Sequence, residues 1–522
     1  MSRVFALGLD GVGLDLWTRL CDRGWLPSLS GQLRSLMPLG STIPPLTAPA
    51  WTSIATGLNP GRHGVLDFWT RPGHGETPRL IGNSATFAFW EAASAQGFRV
   101  GIFNYPLSYP PRAVNGFWVS GMNTPRHVSD FATPPDLASQ LSRFVPDAAT
   151  ESTGNLDLRH RANDRLQLIR ELITLQDNHL EAGLISLRHS VASITDLFVF
   201  ALTTTDRFLH FFWDCVAPVE GLDTEAPEQA LLDLAAEFWR RLDFGVTRWL
   251  DVARPDSLLL FSDHGFQSVP SQVFNMPVWL RSIDWASGAI RVARPGPLAL
   301  VMGLAKDVVK QLLPTSVWRR LRARHSEPAS NGVVGSVSSE TLYGQVIGLS
   351  VTGNDDERRT LIERALRAAR ETRDRHGHPV FDWAERSLTV WPGAPLAFPD
   401  VVLCLRADLG AGASGSDPRL MFSSVSDRVG DHAPQGLIGI SDTIVPPNAP
   451  PLYVWDVAPI VLHCLGAAIP AGLDGVVPAW LPGERLYLPA QTQMGSSPSA
   501  GGYTAVQATE ITERLRMLGY VD

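Results

Sequence analysis

Arg3–Gly11 reads RVFALGLDG, and the fold class follows from these nine residues. Its apolar run does not alternate with polar residues. That pattern belongs to a strand covered on both faces, as in a parallel sheet. The run stops at a carboxylate, Asp10, followed by glycine. Four more runs read the same way: FRVGIFNYP (98–106), LFVFALTTTD (197–206), DSLLLFSDHG (256–265) and PDVVLCLR (399–406). Helical patterns lie between them, over 164–188 and 228–251, with a charged amphipathic helix at 357–370. Strands alternating with helices predict an α/β fold, a central mostly parallel sheet with helices on both faces.

In such sheets ligands collect at the carboxyl ends of the strands. Three of the runs end in Asp10, Asp206 and Asp263, which places three carboxylates on one edge. Taken singly, each aspartate is most simply a helix cap or turn residue. Histidines accompany them. Asp206 and His210 in TTDRFLH are spaced i,i+4 and share a face if a helical turn starts there. Asp263 and His264 are adjacent, and His432 sits in GDHAPQG, a loop-like composition. Oxygen and imidazole donors suit Zn²⁺ or another divalent transition ion. Three aspartates, three histidines and a hydroxyl exceed one four-coordinate site, so two ions fit better, as in phosphoryl-transfer sites.

Composition narrows the class. The chain has 522 residues, 44% of them hydrophobic, and a net charge of −8, which argues against nucleic-acid polymers and anionic membranes as partners. Cys21, Cys215, Cys404 and Cys464 are far apart, without a CxxC motif, and suit a reducing compartment. The N-terminal segment is too short and polar for a signal peptide, and no membrane-spanning run occurs, so the expected location is cytoplasmic. Assembly with further copies of the chain stays open.

Leu46–Gly64, LTAPAWTSIATGLNPGRHG, reads as a buried helix followed by a turn set by Pro60 and glycines. Thr52, Ser53 and Thr56 are expected to bond back to helix carbonyls, and Arg62 and His63 to be structural. Residues 1–269 and 341–490 are expected to form the catalytic domain. Residues 270–340 would be an inserted cap, and 491–522 a linker and terminal helix.

GLDG, TAPAWTSIATGLNPGRHG, TTDRFLH, SDHGF and GDHAPQG, in this order, resemble the alkaline phosphatase superfamily. The likeness is to its type I phosphodiesterase/nucleotide pyrophosphatase branch, and within it to bacterial predicted phosphohydrolases/phosphomutases. The resemblance implies an alkaline-phosphatase-like fold and a two-metal phosphohydrolase. Its substrate would be a small-molecule phosphodiester or pyrophosphate, nucleotide-linked or not, cleaved through a phospho-threonine. Thr47 would be the nucleophile. Asp10, Thr47, Asp263 and His264 would hold one ion, and Asp206, His210 and His432 the other, as Zn²⁺ with Mn²⁺ or Fe as alternatives. Ala48 and Phe68 stand where relatives carry a base-stacking aromatic and a phosphate-binding asparagine. Trp51, Phe68 or Trp69 would then stack on the substrate, and Asn104 or a residue of the cap would supply a donor. A phosphomonoesterase or phosphomutase, and a metal-binding protein without catalysis, are the rival readings.

Overall fold

The structure is a computed structural model. It describes residues 2–71, 78–83, 87–141, 162–191, 195–218, 227–270, 272–285, 289–290, 333–334, 336–412, 422–424, 429–488 and 503–518. These group into two compact units, one within Met1–Val219, Thr224–Ser268 and Arg428–Val521, the other within Val269–Asp427.

The first unit is built on β1 (Val4–Leu9), β2 (Leu36–Gly40), β3 (Val100–Tyr105), β4 (Gly116–Ser120), β5 (Ala132–Thr133), β6 (Leu197–Leu202) and β7 (Ser257–Phe261). Strands Gln435–Ile440 and Leu452–Tyr453 complete a sheet ordered Leu452–Tyr453, β2, Gln435–Ile440, β7, β1, β6, β3, β4, β5. The five central strands, β7 to β4, are mutually parallel. Gln435–Ile440 runs antiparallel to both β2 and β7.

Alternation along β1 shows why the run is apolar throughout. Phe5, Leu7 and Leu9 face a core with helices Leu14–Asp22, Thr204–Val216, Ala162–Val191 and Gln229–Ala253. Val4 and Ala6 face the opposite core, with helices Thr47–Thr56, Phe89–Ala95 and Val457–Leu465. Helices therefore cover both faces, as the alternation of strands and helices predicted. The terminal helix Ala505–Leu518 belongs to this unit: Arg514 donates to the Thr124 carbonyl at 2.9 Å, and Tyr503 stacks on Tyr109.

The second unit corrects one expectation. Val401–Leu405, the strand within 399–406, was expected in the parallel sheet. It instead pairs antiparallel with Val346–Val351 and Phe381–Arg386. A continuous apolar run reports burial on two faces, not the direction of its neighbours. Helix Asp355–Glu371 packs on this sheet through Ile362, Ala365, Leu366 and Ala369. Its capping box pairs Asn354 with Glu357. The boundary expected at residue 340 falls inside strand Val337–Tyr343, and the same sheet continues beyond it. Residues 291–332 of the expected cap and the linker at 489–502 lie outside the described residues. Among the described residues, no helix is long and apolar enough to cross a membrane.

Candidate metal centre

Register delivers the first ligands. β1 pairs with β7 so that Gly8 lies opposite Phe261, and with β6 so that Leu9 lies opposite Leu202. Two residues beyond Gly8 is Asp10; two beyond Phe261 is Asp263. The Gly11 N–H donates to Asp263 Oδ1 at 3.2 Å, tying the two strand ends together. Asp263 Oδ2, Asp10 Oδ1 and His264 Nε2 are buried and, among the described residues, without a hydrogen-bond partner. They face one another: His264 Nε2 is 3.2 Å from Asp263 Oδ2 and 3.5 Å from Asp10 Oδ1.

Asp206 is not at a strand end, as the run suggested, but in the first turn of helix Thr204–Val216. The helical spacing does hold, and Asp206 Oδ2 lies 3.6 Å from His210 Nε2. A residue the sequence reading passed over anchors this turn: the Thr205 hydroxyl donates to the Asp10 carbonyl at 2.6 Å. Its only signal was the polar run TTTD directly after an apolar strand.

His432, expected in a loop, lies on strand Gly430–Ala433, paired antiparallel with β8 (Gly265–Ser268). That pairing brings its ring against His264, with centroids 3.7 Å apart. His432 Nε2 is 3.0 Å from Asp206 Oδ1 and 3.1 Å from His210 Nε2. Asp431 accepts the backbone N–H of His432 at 2.9 Å.

All three imidazoles are set the same way. His210 Nδ1 faces the Gly430 carbonyl at 3.2 Å, His264 Nδ1 the Gly265 carbonyl at 3.1 Å, and His432 Nδ1 the Pro45 carbonyl at 2.8 Å. A carbonyl only accepts, so each Nδ1 carries a proton and each Nε2 is the nitrogen turned toward the aspartates. This is how protein-ligating histidines are held. His210 Nε2 and His432 Nε2 both face Asp206, an arrangement a bound cation would suit.

The electrostatics agree. Burial, then Asp263 and Asp206, hold the Asp10 carboxyl well above the usual range. Burial and Asp206 push Asp263 up to about 8. Burial, then His432, hold the His264 imidazole well below its usual value. Crowded carboxylates and a neutral His264 describe a pocket short of positive charge. Two groups of donor atoms, Asp10–Asp263–His264 and Asp206–His264–His432, each lie within 4.8 Å of one another. The donor types fit divalent ions.

Thr47 opens helix Thr47–Thr56; its N-cap is Leu46, which offers no side-chain cap. Thr47 Oγ1 is buried and, among the described residues, has no hydrogen-bond partner. The same segment is tied to the ligands at two points. Pro45 holds His432 as above, and the Trp51 indole N–H donates to Asp10 Oδ2 at 3.0 Å. The other hydroxyls are scaffold: Thr52 and Thr56 donate to carbonyls four residues back, at 2.7 Å each. Ser53 instead pairs with His63 at 2.9 Å.

Trp51, Phe68 and Asn104 are fully enclosed, each 0% exposed. Trp51 is occupied by Asp10, and its ring meets Tyr105 edge-on. Phe68 packs edge-on with Trp69. Asn104 donates to the Ala201 carbonyl at 3.0 Å, bracing β6. All three residues, expected to contact the substrate, are thus enclosed by protein neighbours. On a helix laid against a sheet, an aromatic at such a position is core.

The sequence profile of the type I phosphodiesterase / nucleotide pyrophosphatase family matches residues 4–341. The chain belongs to this family. Six of the seven candidate ligands lie in the matched span, and His432 lies beyond it. Among solved structures, phosphonoacetate hydrolase from Sinorhizobium meliloti 1021 in complex with phosphonoformate is 13% identical, with a TM-score of 0.51. That match covers 89% of this chain and 95% of the other. Human ectonucleotide pyrophosphatase / phosphodiesterase 5 is 10% identical, with a TM-score of 0.48 over 91% of this chain and 97% of that one. A comparison with curated proteins finds no match. Membership of the type I phosphodiesterase family places the chain among phosphoester hydrolases with an alkaline-phosphatase-like fold.

Proposed function

We propose that the chain is a two-ion phosphodiesterase or pyrophosphatase acting on a small molecule, with Thr47 as its nucleophile. What carries the reading is the placement of Thr47. Its hydroxyl is buried and unpartnered, two residues after the Pro45 carbonyl that holds His432 and four before the indole that holds Asp10. Asp10, Thr47, Asp263 and His264 would hold one ion, and Asp206, His210 and His432 the other, with Zn²⁺ the first choice and Mn²⁺ or Fe alternatives. Bound ions would neutralise phosphoryl oxygens and lower the pKa of a hydroxyl or water.

Thr47 Oγ1 attacks phosphorus in line with the leaving oxygen and forms a phospho-threonine, which water then cleaves. The Ala50 N–H is already bonded to the Leu46 carbonyl at 3.0 Å, and Pro49 has none. That leaves the Thr47 and Ala48 N–H groups, at the positive end of the helix, to meet a phosphoryl oxygen.

The test is hydrolysis of bis-p-nitrophenyl phosphate against p-nitrophenyl phosphate with Zn²⁺ or Mn²⁺. The diester should turn over faster; a monoester preference removes the diesterase assignment. Thr47→Ala should lose at least ~10³-fold in kcat while still binding metal. Retained turnover would exclude Thr47 as nucleophile.

A further inference from the structure

We propose that Trp51 is a positioning residue that restricts Asp10 to a single ligand oxygen, and so sets the coordination number of the ion bound by Asp10, Asp263 and His264. The proposal rests on the two-ion reading above. The indole N–H donates to Asp10 Oδ2 at 3.0 Å, with both side chains buried. Asp10 Oδ1 has no such partner and is the oxygen that lies 3.5 Å from His264 Nε2. A carboxylate oxygen that accepts an N–H is a weaker and more restricted donor to an ion, so Asp10 offers chiefly Oδ1.

The indole has no room to release its hold. Beneath it β1 carries Gly8, where an added Cβ would lie 2.2 Å from the Trp51 ring. Phe261 of β7 and Tyr105 of β3 flank it, with centroids at 6.0 and 5.0 Å. The Tyr105 hydroxyl donates to the Trp51 carbonyl at 2.7 Å. Trp51 is also one helical turn after Thr47, on the same face. One helix thus presents the nucleophile and fixes how a ligand binds. Monodentate carboxylates suit a small four-coordinate ion such as Zn²⁺. Bidentate ones suit larger, oxygen-seeking ions of higher coordination number. Freeing Asp10 Oδ2 would open that second mode.

Cobalt(II) reads this directly, because its visible bands weaken as coordination number rises. The full-length metal-free protein, Trp51→Phe and Tyr105→Phe are titrated with Co²⁺. Wild type should bind two equivalents. In Trp51→Phe one equivalent should lose band intensity and bind ~10–100-fold more weakly, while the other is unchanged. Tyr105→Phe keeps the indole N–H and should match wild type in both spectrum and affinity. If Trp51→Phe does not fold, 3-(3-benzothienyl)alanine at position 51 keeps the bicyclic shape, lacks the N–H, and is judged by the same criteria. Wild-type bands and affinities for both equivalents in the N–H-less protein would overturn the positioning role. A wild-type protein that binds no cobalt would instead overturn the two-ion reading beneath it.

Discussion

Asp263→Asn is expected to stabilise the metal-free protein while abolishing its activity. The donor oxygens of Asp10 and Asp263 lie within 4.8 Å of each other. Two unit charges at that distance, at an effective dielectric of ~20, repel by about 3 kcal/mol. Protonation offers the protein another escape, since both carboxyls are held above their usual range. Keeping one carboxyl protonated at pH 7 costs about 4 kcal/mol against its unfolded value. Both routes give a similar figure. Asparagine has nearly the same shape, carries no charge, and can still accept the Gly11 N–H through Oδ1. Its amide N–H groups need partners, so a net gain of about 2 kcal/mol is expected, a rise of a few degrees in Tm.

The sign with pH follows from the raised carboxyls. Their contribution to stability is present below about pH 4 and is lost as pH rises toward 8. The advantage of the variant should therefore vanish near pH 4 and grow up to pH 8. The assay is thermal unfolding of both proteins in excess chelator across that range, repeated with Zn²⁺. With metal the order should reverse, because wild type gains about 4 kcal/mol at a free ion concentration ~1,000 times Kd. A metal-free variant that melts at or below wild type at pH 7.5 would refute the reasoning.

His63 supplies a second pH dependence, of opposite sign. Burial lowers its pKa to about 3, and its Nδ1 accepts the Val65 N–H at 3.1 Å, so the folded protein needs it neutral. Its contribution is intact above pH 6.5 and falls by about 1.4 kcal/mol per pH unit below that. His63→Asn should flatten this fall in urea midpoints between pH 6 and 4.5; equal slopes would disprove it. Gly8→Ala drives a Cβ to 2.2 Å from the Trp51 ring and should cost about 1–3 kcal/mol in stability. Combined with Trp51→Phe the costs should fall short of their sum, since the shorter ring relieves the clash; strict additivity would deny the contact.

What the sequence made legible is what local pattern encodes. The runs containing β1, β3, β6 and β7 announced buried strands because both faces are covered. Asp10, Asp263 and His264 followed as residues at strand ends. The i,i+4 spacing paired Asp206 with His210 although the helix, not the strand, carries them. His432 was recognisable as a candidate but not as a strand residue, since its pairing partner, Phe266, lies far away in sequence. The direction of Val401–Leu405 failed for the same reason. Trp51 was misread because an indole that stacks on a ligand and one that packs on a sheet look alike in a string of letters. Its N–H contact depends on the empty space at Gly8, forty-odd residues upstream.

The position of Gln435–Ile440 between β2 and β7 bears on how the chain is made. β2 pairs with that strand and with Leu452–Tyr453, and both are synthesised long after it. At ~5–20 residues per second, roughly 400 residues separate β2 from its first partner, a wait of about 20–80 s. During that interval β2 offers an open strand edge on the ribosome. His432, three residues before the late strand, arrives with it. The closing of the sheet and the completion of the candidate metal centre are thus one event in the biogenesis of the protein. A chain stalled before residue 430 would lack both.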